Sequence, residues 1–238
     1  MRDNPQYSRR IILAIDEVSK DKVNRIIDAT SPFIEIYKIG SIAFTVFGPS
    51  IIDEIINRGK EVFLDLKYFD IPNTVSKAVQ QAVSYGVKML TLHTLGGYDM
   101  LKAAVEANKG KATLLGVTLL TSLDAAQIGR IGIERDVPDM VGRLAVLARD
   151  AGIDGLVASG HELEQLRNTL GDKPVIVVPG IRIQNGEPTG DQKRVVSPKR
   201  AFESGADYIV IGRPVTESAD PAGAVQKILD TLTRGEYK

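Results

Sequence analysis

The 238-residue chain has no cysteine and only two histidines, His93 and His161. Disulfides, thiolate nucleophiles and cysteine-held metals are thereby excluded, and two imidazoles are little material for a zinc site. An excess of charge of either sign is also missing, since Lys plus Arg and Asp plus Glu both number 30. Global attraction to nucleic acid or to an anionic membrane is not expected, although a few local basic groups suffice for a phosphorylated small molecule. No run of about 18 apolar residues occurs, and Met1-Arg2-Asp3-Asn4-Pro5-Gln6-Tyr7 contains no apolar signal region. The expectation is a soluble, cytoplasmic protein.

Short β-branched runs alternate with longer amphipathic stretches along the whole sequence. Strands are expected at 11–15, 34–39, 62–66, 89–93, 113–119, 155–158, 175–178 and 208–211. Helical periodicity falls between them, for example at 19–29, 74–84, 99–108, 140–151, 161–170 and 198–204. Tyr85-Gly86-Val87, Ala151-Gly152-Ile153 and Ser204-Gly205-Ala206-Asp207 each read as a helix stop feeding the next strand. Strict βα alternation implies parallel strands, and eight such units at this length predict a single (β/α)8 TIM barrel spanning residues 1–238. An open doubly wound sheet is the alternative, but no GxGxxG follows the first strand. The polar stretch 184–194 reads as a mobile loop after strand seven.

The active face of a parallel barrel lies at the C-terminal ends of its strands. Asp16 ends strand one, Lys38 strand two, and Asp65 and Lys67 strand three, with Asp70 just beyond. Asp65 and Lys67, two apart on a strand, are expected to share a face. A structural ion-pair network would explain one Asp-x-Lys, but not five charges delivered to one face by independent strands. On the far side, Pro179-Gly180-Ile181-Arg182 ends strand seven and Ile211-Gly212-Arg213-Pro214 ends strand eight. Those two strand ends are the customary phosphate site of such barrels: glycines allow close backbone approach, and arginines supply charge-assisted bonds. His93 reads as a hydrogen-bonded wall residue and His161 as a helix start. Thr121-Ser122 is either a helix cap or a partner for a ligand's polar edge.

These residues resemble the orotidine 5′-phosphate decarboxylase family, in its bacterial form, over nearly the whole length. The resemblance rests on Leu13-Ala14-Ile15-Asp16, Tyr37-Lys38-Ile39-Gly40, Asp65-Leu66-Lys67-Tyr68-Phe69-Asp70-Ile71-Pro72-Asn73-Thr74, Val117-Thr118-Leu119-Leu120-Thr121-Ser122, Pro179-Gly180-Ile181-Arg182, Asp191-Gln192-Lys193-Arg194 and Ile211-Gly212-Arg213-Pro214. The strand-three motif is the most specific of these. The resemblance implies a cofactor-free, metal-free homodimer of barrels, with active sites at the dimer interface, that converts orotidine 5′-monophosphate to UMP. It places Asp16 on ribose hydroxyls and makes Lys38, Asp65, Lys67 and Asp70 a catalytic charged array. Asp70 and Thr74 would reach the partner's site, and the rest of the motif (Leu66, Tyr68, Phe69, Ile71, Pro72, Asn73) would border the substrate. Thr121 and Ser122 would lie by the pyrimidine, and Arg182, Gln192, Gly212 and Arg213 would hold phosphate. Phe69 stands where many bacterial members carry His, and Leu95 where a small residue is common.

Loss of carbon dioxide from C6 leaves a carbanion that no carbonyl delocalises simply, so the site must stabilise charge and supply a proton. Lys67 is the expected source of both. One rival is a magnesium-dependent sugar-phosphate decarboxylase or aldolase of the same superfamily, disfavoured because Lys38 and Lys67 leave the carboxylates little uncompensated charge for a metal. Another is a catalytically idle barrel that binds a phosphorylated ligand, which would not need the five charges.

Overall fold

The computed structural model describes residues 5–182 and 195–233. Eight parallel strands close into a barrel in chain order: β1 (Ile11–Ile15), β2 (Ile36–Gly40), β3 (Glu61–Tyr68), β4 (Met89–His93), β5 (Thr113–Val117), β6 (Gly155–Val157), β7 (Val175–Val178) and β8 (Tyr208–Ile211). β8 returns to β1 through Ile11↔Ile209 and Leu13↔Ile211. The expected (β/α)8 architecture is therefore observed.

Strand alternation divides the apolar residues into two cores. Ile12, Ala14, Ile36, Phe63, Met89, Leu115, Val177 and Val210 fill the barrel interior. Their outward neighbours, among them Ile11, Leu13, Ile39, Leu64, Leu90 and Leu114, join the larger core beneath the helices. Followed toward the C-terminal end, the inward phase meets polar groups: Ala14 gives way to Asp16, Ile36 to Lys38, Phe63 to Asp65, and Met89 to Thr91. The barrel is thus apolar at depth and charged at its mouth.

Several boundaries differ from the sequence reading. β2 begins at Ile36 rather than residue 34, because Ile34 packs into the outer core as the chain leaves the preceding helix. β5 ends at Val117, not 119, since pairing with β6 stops at Val117↔Val157. Helices at Ser41–Phe47, Ser50–Asn57, Ala125–Arg130 and Pro221–Thr233 were not anticipated. The helix Val137–Ala151 starts earlier than expected, with Asp136 capping Asp139 N and a proline in its first turn. His161 precedes the helix Leu163–Leu170 and bonds Val195 O through Nε2 at 3.2 Å. The expected helix stops hold, with positive φ at Gly86, Gly152 and Gly205. The loop expected at 184–194 lies outside the described residues.

Candidate active site

A cavity of about 540 Å³ opens at the C-terminal mouth of the barrel. The ends of β1 to β3 contribute Asp16, Lys38, Asp65 and Lys67 to its lining, and the ends of β7 and β8 contribute Pro179, Gly180, Arg182, Gly212 and Arg213. The first set is contiguous. Lys38 Nζ lies 3.7 Å from Asp16 Oδ1 and 3.3 Å from Asp65 Oδ2, and Lys67 Nζ lies 2.9 Å from Asp65 Oδ1. Asp65 and Lys38 are the buried members, with side chains 12% and 13% exposed, whereas Lys67 at 37% and Asp16 at 52% face the opening.

Gly40 leaves room beside the Asp16–Lys38 pair, since a Cβ there would lie 3.2 Å from both Asp16 Oδ1 and Lys38 Nζ. Burial pushes the Asp65 carboxyl up, but Lys38, Lys67 and the bonds from Lys67 and Thr91 outweigh it and hold it below the usual carboxylate range. Asp65 is an anion clamped between two cations.

β3 does not reach this arrangement as a regular strand. Its pairing with β4 passes from Leu64↔Leu90 to Tyr68↔Leu92, so four residue steps on β3 span two on β4. The excess is taken up by a bulge in which Lys67 adopts φ 49. Leu66 and Tyr68 pack against the outer core, leaving Asp65 and Lys67 on the cavity wall. Burial pushes the Tyr68 hydroxyl's pKa up.

The remainder of the strand-three motif lies apart from the array. Phe69, Asp70, Ile71, Pro72, Asn73 and Thr74 are all exposed. Asp70 Oδ1 accepts a 2.7 Å bond from Ile71 N, and Asp70 makes no ion pair among the described residues. Proline in the first turn and extended Ile71 at the N-cap start the helix Pro72–Ser84 there. Phe69 sits over His93 with ring centroids 5.6 Å apart, and His93 Nδ1 accepts a 3.4 Å contact from Leu95 N. Burial, then Lys67, lowers the His93 pKa.

Thr121 lines the cavity, while Ser122 is half-buried beside it. Neither caps the following helix, because Asp124 and Gln127 form its capping box. Gln192 lies outside the described residues. Arg182 is held at the stem of β7, where its amide bonds Val196 O at 3.0 Å and Ile181 bridges Val196. Gly180, at φ 78, turns the chain there.

Thr91, Glu17, Thr216 and Glu217 were not singled out from sequence. The last three line the cavity, with Glu17 paired to Lys22 at 2.7 Å. Thr91 is fully buried under the array and bonds both Asp65 and Lys67. A polar residue in the inward phase of an otherwise apolar strand was the available signal. Among the described residues no three His, Asp or Glu side chains converge as a metal site. Asp16 and Asp65 have their charge met by lysines, a donor set ill-suited to a divalent cation.

Comparison with known proteins agrees with this geometry. Residues 9–228 match the model of the orotidine 5′-phosphate decarboxylase / HUMPS family. An orotidine 5′-phosphate decarboxylase of Geobacter metallireducens is 44% identical over 236 residues, covering 97% of this chain and 98% of that protein. The protein of the same name from Coxiella burnetii is 42% identical over 224 residues, covering 92% and 94%. The crystal structure of orotidine 5′-phosphate decarboxylase from Lactobacillus acidophilus matches with a TM-score of 0.82 at 30% identity, over 95% of this chain and all of that one. The chain belongs to the orotidine 5′-phosphate decarboxylase / HUMPS family.

Proposed function

We propose that the protein decarboxylates orotidine 5′-monophosphate to UMP in pyrimidine biosynthesis, as a carboxy-lyase. The observation that carries this reading is the Lys38–Asp65–Lys67 array lining one cavity together with Gly212, Arg182 and Arg213. It supplies a place for the reacting carbon and, at the other end, a place for a phosphate.

In this mechanism the C6–carboxylate bond breaks, carbon dioxide leaves, and the electron pair stays on C6. The Lys67 ammonium stabilises that charge and then transfers its proton to C6, and water later returns a proton to Lys67. Asp65 fixes the ammonium at 2.9 Å, and Lys38 balances Asp65. Asp16, at the open edge beside Lys38, takes ribose hydroxyls. Thr121 and Ser122 border the pyrimidine.

Arg182, Arg213, the Gly212 backbone and Gln192 take the phosphate. Phosphate binding energy both holds the substrate and assembles the array around it. No step requires a metal or a cofactor.

The single barrel works as a homodimer. Asp70 is exposed and does not line its own cavity, and it is flanked by Phe69 at 60% and Ile71 at 66% exposure. Ile42 and Val46 add further exposed apolar surface at the same end of the barrel. Burying these groups against a second copy would carry Asp70 and Thr74 to the partner's site. The proposed location is the cytoplasm, with neither nucleic acid nor membrane as partner; no helix among the described residues is long and apolar enough to cross a membrane.

The test is ultraviolet absorbance of orotidine 5′-monophosphate incubated with the purified protein and excess chelator. Conversion to UMP is expected. No conversion by folded protein, with magnesium-dependent turnover of a sugar phosphate instead, would favour the rival chemistry.

A further inference from the structure

Lys67 is one of two non-glycine residues at positive φ among the described residues. The other, Lys109, caps the C-terminus of the helix Gly97–Asn108, where a left-handed residue is ordinary. Lys67 has no such excuse. It sits inside a bulged strand, in a conformation that is costly for a side chain with a Cβ and persists only where its surroundings hold it. The bulge also removes Lys67 N–H from the regular ladder, since pairing with β4 is interrupted between Leu64 and Tyr68.

That amide donates instead to Thr91 Oγ1 at 2.8 Å. The Thr91 hydroxyl, having accepted there, donates its own proton to Asp65 Oδ1 at 3.0 Å. The same carboxylate oxygen receives Lys67 Nζ at 2.9 Å. A closed ring results, from Lys67 N–H through Thr91 to Asp65 and back to the Lys67 ammonium. Thr91 is 0% exposed and lies on β4 opposite Leu115, so it is held by packing and by strand pairing.

We propose that Thr91 is a positioning residue for the decarboxylation. Its hydroxyl locks the left-handed backbone of Lys67 and the orientation of Asp65 at once, thereby fixing where the ammonium points. This rests on the function proposed above. It locates the rigidity of the array in a neutral side chain that never touches the substrate. A rotation of the Lys67 peptide would swing the ammonium by more than the tolerance of a catalytic contact.

The test compares Thr91→Val, which keeps the shape and deletes the hydroxyl, with Thr91→Ser, which keeps the hydroxyl. Thr91→Val should lower kcat by about 10- to 100-fold, with KM and UMP affinity changed by less than about threefold. Thr91→Ser should recover kcat to within about threefold of the unsubstituted enzyme. Equal kcat in all three proteins overturns the proposal, as does a serine variant as slow as the valine one, which would indicate packing alone.

Amide hydrogen exchange at Lys67 in the unsubstituted protein provides a readout that needs neither substrate nor variant. Strong protection is expected, and exchange as fast as that of an exposed loop overturns the proposal even if Thr91→Val does not fold. Failure of the unsubstituted enzyme to consume orotidine 5′-monophosphate would instead count against the functional reading, leaving the amide result intact.

Discussion

Lys67 is joined to Asp65 twice, directly from Nζ to Oδ1 at 2.9 Å and again from its backbone amide through Thr91. The proposed proton donor is thus anchored at both ends to one carboxylate. The other oxygen of Asp65 is engaged by Lys38 at 3.3 Å. A buried anion is tolerated here because two cations and a hydroxyl compensate it.

Asp65→Asn should therefore fold yet turn over slowly. The neutral amide would leave Lys38 and Lys67 facing each other without the intervening charge. A fall in kcat of about 100-fold or more is expected, with circular dichroism unchanged. Steady-state kinetics beside a thermal melt would check it.

The pH dependence follows from the direction of the Asp65 shift. A carboxyl held low when folded contributes stability that is present above its unfolded pKa, near 4, and is lost as pH falls through the lower folded value. Activity should accordingly be free of an Asp65 titration across neutral pH. Lys38→Met removes one of the two lysine charges that hold the Asp65 carboxyl low, so the acid limb of kcat/KM should move to higher pH. An unmoved limb would mean that Asp65 does not control it.

Arg213→Ala tests the phosphate assignment. Arg213 lines the same cavity as the array, at the end of β8, so its loss should lower kcat/KM for orotidine 5′-monophosphate by about 100-fold. The phosphate-free nucleoside orotidine should react at an unchanged rate. Slowing of turnover as well as binding for the whole substrate supports phosphate-driven assembly of the site, and a change in binding alone would refute it.

A shared site predicts subunit complementation. Lys67→Ala and Asp70→Asn proteins, each nearly inactive, should regain up to about a quarter of full activity when mixed and allowed to exchange subunits. Half the dimers are then mixed, and one of the two sites in each has both residues intact. Absence of recovery despite confirmed exchange would place Asp70 in its own subunit's site.

Much of this was legible in the sequence because barrel strands announce themselves twice, by β-branched composition and by the residue at each C-terminal end. Asp16, Lys38, Asp65 and Lys67 could be brought together from strand order alone. The bulge at Lys67 could not, since residues two apart share a face in a regular strand, and nothing local in Leu66-Lys67-Tyr68 signals a left-handed residue. Thr91 was signalled only as a polar residue in an inward phase: its role depends on a register with β3 that only the folded barrel sets. Asp124 shows the opposite case, a capping box with Gln127 visible in sequence that would have removed one of the two readings of Thr121-Ser122. Short helices such as Ser41–Phe47 were missed because seven residues give too little periodicity.

The most direct test of the central claim is the rate of orotidine 5′-monophosphate loss, with excess chelator, for the unsubstituted enzyme and Lys67→Ala, alongside UMP affinity for both. Rapid loss in the first and almost none in the second, with UMP still bound, is the predicted result. Turnover by Lys67→Ala close to that of the unsubstituted enzyme would contradict the assignment of Lys67 as proton donor.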